Sequence, residues 1–241
     1  MAKKGSYTYE YPHPAVTADC VVFGYDGKEL KVLLVKRGEE KEASKKAHVG
    51  EWALPGGFLD VNDDYTVADT AARELKEETN LELSVKDFKE VSTFSEKGRD
   101  DRERVITVAH YALVKLSEVQ ASTDAEKAEW FSWGEIPHLA FDHDKILRVA
   151  FSRLKQDIHF QPIGFELLPE TFTLPQLQNL YESILEIKFD RRNFANKMKH
   201  FEILQEVNDG TPRHGTRTPI KYRFDKDNYE RLKAKGFQLE F

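Results

Sequence analysis

Residues 73–81 read Arg73-Glu74-Leu75-Lys76-Glu77-Glu78-Thr79-Asn80-Leu81, "RELKEETNL". Glu74, Glu77 and Glu78 stand at i, i+3 and i+4, which places three carboxylates on one face of a helix. Like charges at that spacing repel by a few tenths of about 1 kcal/mol per pair. A helix that keeps them together has some other reason for doing so. Upstream, Val67, Ala71 and Leu75 recur every four residues and form one apolar stripe, with the glutamates off it. "WALPGGFLD" precedes this helix, and Gly56-Gly57 after a proline permits a tight backbone path just before it.

Strand patterns surround the helix. "AVTADCVVFGY" and "LKVLLVKR" flank Asp26-Gly27, a strong turn signal, and read as a β-hairpin. "DFKEVSTFS" and "RVITVAHYALV" read as two further strands joined by the charged loop "EKGRDDRE", and "AEWFSW" as another. A second helix, "DHDKILRVAFSRLKQ", has Ile146, Val149, Ala150 and Leu154 on one side, and Asp142 stands at its N-cap position. The pattern is α/β of the α+β kind, without regular βαβ alternation.

Gly-Gly, a loop, and a helix bearing Arg-Glu-x-x-Glu-Glu together resemble the Nudix box, written G-x5-E-x7-R-E-U-x-E-E-x-G-U with U aliphatic. Arg73, Glu74, Leu75, Glu77, Glu78 and Leu81 match it. The sequence departs in three places: two extra residues separate Gly57 from Arg73, the first glutamate falls on Tyr65 beside Asp63 and Asp64, and the closing glycine is Asn80. Asn tolerates the left-handed conformation of a helix C-cap. The resemblance implies a Nudix-type mixed-sheet fold in which Glu74, Glu77 and Glu78 hold Mg2+ or Mn2+, whose charge offsets their repulsion. Arg73 would orient the cluster, through a pair such as that with Glu77. By the same resemblance Gly56 and Gly57 lie at the substrate. Arg99, Arg102 and Arg104 in "GRDDRERV" are candidates for its phosphates, because arginine suits bidentate phosphate contacts. His143 reads as an ordinary helix residue, Trp130, Phe131 and Trp133 as core or interface, and Cys20 as a buried spectator.

Further along, "HFQPIGFELLPETFTLP" has three prolines and no period, and reads as a connection, so the expected domains are 1–160 and 161–241. Net charge is −6, divided as −7 over residues 1–160 and +1 over 161–241, where 13 basic residues face 12 acidic ones. "FTLPQLQNLYESIL", with Thr173 as N-cap and Leu177, Leu180, Tyr181 and Ile184 on one face, reads as a helix. "RRNFANKMKHF" reads as a second, capped by Asp190, with Phe194, Met198 and Phe201 as its apolar stripe. "EILQEV" and "IKYRF" read as strands joined by "NDGTPRHGTRTP". From Lys188 to Arg223 there are nine basic and four acidic residues, or +5. A basic helix followed by a basic hairpin suits a winged helix-turn-helix on duplex DNA, with Arg191, Arg192, Lys197, Lys199, Arg213 and Arg217 as candidate contacts.

This domain order is similar to that of the Nudix-related transcriptional regulators. In them, the resemblance implies, the Nudix domain senses ADP-ribose or a sugar and the winged helix binds operators as a homodimer. The retained glutamates leave a second function open, that of a Mg2+-dependent hydrolase of ADP-ribose or another nucleoside diphosphate derivative. A single cysteine excludes an internal disulfide, the start "MAKKGSYTYEYPHPAVTADC" lacks the apolar core of a secretory signal, and no apolar run reaches the roughly 18 residues of a membrane span, so a cytoplasmic protein is expected.

Overall fold

The computed structural model describes residues 9–38, 48–116, 125–207 and 219–236. Chain contacts divide it into two compact units, Met1–Phe23 with Val32–Ala112 and Ser117–Phe151, and Gly24–Lys31 with Leu113–Leu116 and Ser152–Phe241.

The first unit is built on a seven-stranded sheet. Its strands are β1 (Ala15–Tyr25), β2 (Leu30–Arg37), β3 (Trp52–Ala53), β4 (Gly56–Phe58), β5 (Lys89–Phe94), β6 (Val105–Leu113) and β7 (Ala125–Ser132). They run in the order β3-β2-β1-β6-β5, with β4 paired to β1 and β7 to β2. Every residue of β1 from Thr17 to Tyr25 is buried, the mark of a central strand covered on both faces. At the β1–β2 turn Asp26 accepts the N–H groups of Lys28 and Glu29, and Gly27 takes φ 94°. β4 lies antiparallel to β1 with Ala18 opposite Gly57 and Asp19 opposite Gly56. A Cβ on Gly56 would fall on the Ala18 carbonyl, so only glycine permits this approach.

Helix α1 (Val67–Thr79) starts at a capping box in which Thr66 and Asp69 satisfy each other's backbone N–H. Ala71 and Leu75 are buried, and the helix stops at Asn80, φ 58° and ψ 11°, the left-handed cap that the sequence predicts. Helix α2 (His143–Phe160) buries Ile146, Ala150, Leu154 and Ile158 completely. Val149, expected on that face, is 36% exposed. The buried arc turns the other way, toward Leu147 and Phe151, whose ring meets that of Phe23 at 6.3 Å.

The second unit contains β8 (Phe172–Thr173), α3 (Leu174–Leu185), α4 (Arg191–His200), β9 (Leu204–Val207), β10 (Lys221–Phe224) and α5 (Lys226–Lys233), with a three-stranded sheet in the order β8-β10-β9. Thr173 and Gln176 form a capping box at α3, and Asp190 caps α4 through the Asn193 N–H. Leu177, Leu180, Tyr181, Ile184, Phe194 and Met198 make the core, while Phe201 is only half-buried. Two helices followed by a two-stranded hairpin are a winged helix. The Pro-rich connection is structured, with a 3-10 turn at Phe165–Leu167 and Ile163, Leu167 and Leu168 buried. Helix α5 is not anticipated by any apolar period; it is short, and Tyr229 is its one buried side chain. Among the described residues no helix is long and apolar enough to cross a membrane.

The cap at Asn80 gives a test. Replacing it by Val places a β-branched residue in the left-handed region and should cost about 1–2 kcal/mol in urea unfolding, whereas Asn80→Gly should cost nothing. Equal losses for both would show that the cap does not depend on backbone conformation.

Candidate functional site

Arg73 is the centre of the carboxylate face. Its Nε and Nη2 donate to the two oxygens of Asp64 at 3.0 and 2.9 Å, Nη1 donates to Glu74 at 2.8 Å and to Glu77 at 3.4 Å, and Nη2 donates to the Phe58 carbonyl at 2.9 Å. Arg73 thus links Asp64, Glu74 and Glu77, with shorter bonds to Asp64 than to Glu77. The Arg73 hydrogen bonds hold the Asp64 carboxyl down at about 2. Tyr65, at the position of the missing glutamate, is 95% exposed, and the neighbouring aspartate supplies the carboxylate that faces Arg73.

The glutamates differ in surroundings. Glu74 packs on the backbone of Gly57, where a Cβ would strike its carboxylate, and burial raises its pKa against the pull of Arg73. Glu78 accepts the Gly56 N–H at 3.0 Å, and burial, with Glu74 and Asp19 adding repulsion, pushes its carboxyl up to about 8. Glu77 is half-exposed at its side chain. Gly56 and Gly57 thus admit two glutamates against the backbone of β4. The donors are hard oxygens, as Mg2+ or Mn2+ requires. Among the described residues no three acidic or imidazole groups already converge as a cage.

The three loop arginines are placed differently. Arg99 is buried, donating through Nε and Nη2 to Asp142 at 3.0 and 2.7 Å and through Nη2 to Asp19 at 3.4 Å. It ties the β5–β6 loop to β1 and to the residue before α2. Asp142 precedes the helix as expected and is engaged by this arginine. Arg102 is gripped by Asp100 at 2.8 to 3.3 Å and lies over the rings of Phe58 and Phe141, 5.3 and 5.0 Å from their centroids. Arg104, exposed, donates to the Ser95 carbonyl.

Four further residues of this region have no motif that signals them: Asp19 and Arg37, which act on Glu78 by charge, and Phe141 and His143, which contact Arg37 and Asp19. Arg37 ends β2, lies 5.0 Å from the Phe141 centroid, and lowers the pKa of Glu78 by its charge. His143 is buried; its Nδ1 accepts the Leu54 N–H at 3.0 Å, its Nε2 stands 3.6 Å from Asp19, and burial lowers its pKa. Phe141 takes φ 55°, a conformation costing an L-residue about 1–2 kcal/mol. No periodicity or motif signals it. Cys20 is buried, with its thiol pKa raised by that burial.

In the winged helix, Arg191, Arg192 and Lys199 are exposed along α4, and Lys197 is half-buried with its ammonium 6.0 Å from the Phe201 ring centroid. Arg213 and Arg217 lie outside the described residues.

Comparison with known proteins gives the class. Residues 13–151 match the NUDIX domain family and residues 164–224 the NrtR DNA-binding winged helix domain. The chain belongs to the Nudix family. More narrowly, its two domains make it a DNA-binding transcriptional regulator of the NrtR kind, with the Nudix domain as the ligand-responsive part. It is 31% identical over 224 residues to the ADPR responsive transcriptional repressor NtrR of Acinetobacter baylyi, covering 92% of this chain and 86% of that one. Over 138 residues it is 38% identical to the ADP-ribose pyrophosphatase of Methanocaldococcus jannaschii, covering 57% of this chain and 73% of the relative. The crystal structure of Shewanella oneidensis NrtR matches with TM-score 0.72 at 28% identity, covering 93% of this chain and 97% of that one. That protein has also been solved with a 27mer DNA, and its NUDIX domain with ADP ribose.

The Glu78 environment sets a pH dependence. Between the ordinary 4.5 and about 8 the folded protein holds a proton that the unfolded chain has lost, so this group makes stability fall as pH rises through that window. In EDTA, wild type should lose stability relative to Glu78→Gln by up to about 1.4 kcal/mol per pH unit there, levelling above pH 8. Parallel urea midpoints from pH 5 to 9 would contradict this.

Proposed function

We propose that this chain is a transcriptional repressor that binds duplex DNA as a homodimer through α4 and the following hairpin, and that is controlled by ADP-ribose or a closely related nucleoside diphosphate derivative bound in its Nudix domain. Glu74, Glu77 and Glu78 would hold Mg2+ or Mn2+, which when bound supplies Lewis-acid polarisation of a diphosphate. Arg73 keeps the carboxylates aligned, Gly56 and Gly57 let them approach the backbone, and Arg102, fixed between two rings beside Gly57, is the loop arginine best placed to meet ligand phosphate. Arg99 serves the fold by holding Asp142. Arg191, Arg192, Lys197 and Lys199 would meet DNA phosphates or base edges, as would Arg213 and Arg217, which lie outside the described residues. The reading places the protein in the cytoplasm, where such DNA is found.

The observation that carries this reading is the union, in one chain, of a glutamate face built on Gly-Gly with a winged helix whose α4 exposes its cations. Similarity over nearly the whole length to an ADP-ribose-responsive repressor supports the choice of ligand. A second reading, that the site also hydrolyses its ligand, is favoured by the complete Arg73, Glu74, Glu77 and Glu78 set and by the similarity to an ADP-ribose pyrophosphatase.

One experiment addresses both. Purified protein is bound to operator duplex, ADP-ribose and Mg2+ are added, and DNA release and ADP-ribose cleavage are followed together. Release without cleavage supports a sensor, release with cleavage a sensor that turns over its ligand, and cleavage with no DNA binding at low salt would overturn the regulator. Two variants sharpen it. Arg191→Ala or Arg192→Ala should weaken DNA binding, and one that contacts phosphate should reduce the salt slope by about one unit. Glu77→Gln removes charge at constant size and should lower metal-dependent ligand affinity with little change in melting temperature.

A further inference from the structure

Two cations from separate parts of the first unit meet one aromatic ring. Arg37, at the end of β2, and Arg102, in the β5–β6 loop, each place their guanidinium carbon 5.0 Å from the centroid of Phe141. Arg102 also lies over Phe58, whose carbonyl accepts from Arg73, and Phe58 follows Gly57, on which the Glu74 carboxylate packs. Arg37 acts electrostatically on Glu78 and on His143. The pair therefore flanks the glutamate face. His48 completes the surroundings of the ring at 4.4 Å between centroids, with His143 at 5.5 Å.

Two like charges brought to one ring repel, and the ring's negative face is what makes their approach favourable. Phe141 is a poor choice for this backbone: at φ 55° an Asn or Gly would serve better, yet a large aromatic is kept. Strain of this kind is retained where the side chain is needed. We infer that Phe141 is a positioning residue that, together with Asp100 on Arg102, holds Arg37 and Arg102 as an anion-binding pair, and that the pair receives the phosphates of a diphosphate-bearing nucleotide. This rests on the Nudix domain binding such a ligand, as proposed above. The division of labour is chemical: the glutamates would hold a divalent cation, and the two guanidiniums would meet the two negative charges of the diphosphate through charge-assisted hydrogen bonds.

The test compares Phe141→Gly, Phe141→Ala and Phe141→Tyr in the full-length protein, measuring binding of ADP-ribose, ADP and adenosine with Mg2+ at several salt concentrations. Gly relieves the backbone strain and Ala keeps it, so Gly should be the more stable of the two, yet both should bind ADP-ribose and ADP about tenfold or more weakly with a shallower salt dependence. Adenosine, which has no phosphate, should be unaffected, and Tyr, which restores the ring, should recover wild-type affinity. An equal loss for adenosine and ADP-ribose would reduce Phe141 to a packing role. Unchanged ADP-ribose affinity and salt dependence in Phe141→Gly would overturn the inference. Wild type that binds none of the phosphate ligands would instead sink the reading of the domain on which it rests.

Discussion

The contact between Arg73 and its acidic neighbours is the constraint around which the first unit is arranged. Three carboxylates on one turn and a half of helix repel, and the guanidinium that offsets them also reaches the Phe58 carbonyl on β4. Helix, loop and strand are thereby pinned at one point. Gly56 and Gly57 are the other half of the same constraint, since side chains there would collide with β1 and with Glu74. At Glu78, burial first and the charges of Glu74 and Asp19 second push the carboxyl up, against the hydrogen bond from the Gly56 N–H.

Much of this was legible in the sequence because each feature is local. The spacing of Glu74, Glu77 and Glu78, the Thr173 and Asp190 caps, the Asp26-Gly27 turn and the left-handed Asn80 are all decided within a few residues of chain. What escaped depends on tertiary approach. Arg99 carries the same charge as Arg102, three residues away in one loop, but Asp142, 43 residues later, claims it. Asp64 takes up the partnership with Arg73 because the loop of residues 58–66 folds back nine residues, which no linear motif records. Arg37 meets Phe141, and His143 meets Asp19, only through the sheet order and the start of α2. Val149 misled because a helix face is set by what packs on it, and Phe23 and Trp133 draw the core toward Phe151 instead.

The two halves use opposite electrostatics for related ends. In the Nudix domain, a guanidinium gathers carboxylates on one helix face. In the winged helix, the cations of α4 face outward, and the whole chain remains acidic at −6. Such a protein is not held to nucleic acid by its net charge, so binding must come from a small concentrated surface, which a ligand-dependent change of state can engage or withdraw.

Coupling of this kind is thermodynamically reciprocal. A ligand that releases DNA must bind the DNA-free protein more tightly than the DNA-bound one, and by the same factor DNA must weaken the ligand. The most direct measurement is therefore the affinity for ADP-ribose, with Mg2+, in the absence and in the presence of saturating operator duplex. A coupled regulator predicts a difference of about 5- to 150-fold, matched by the shift in DNA affinity measured the other way round. Identical affinities with and without DNA would show two domains sharing a chain without regulating one another.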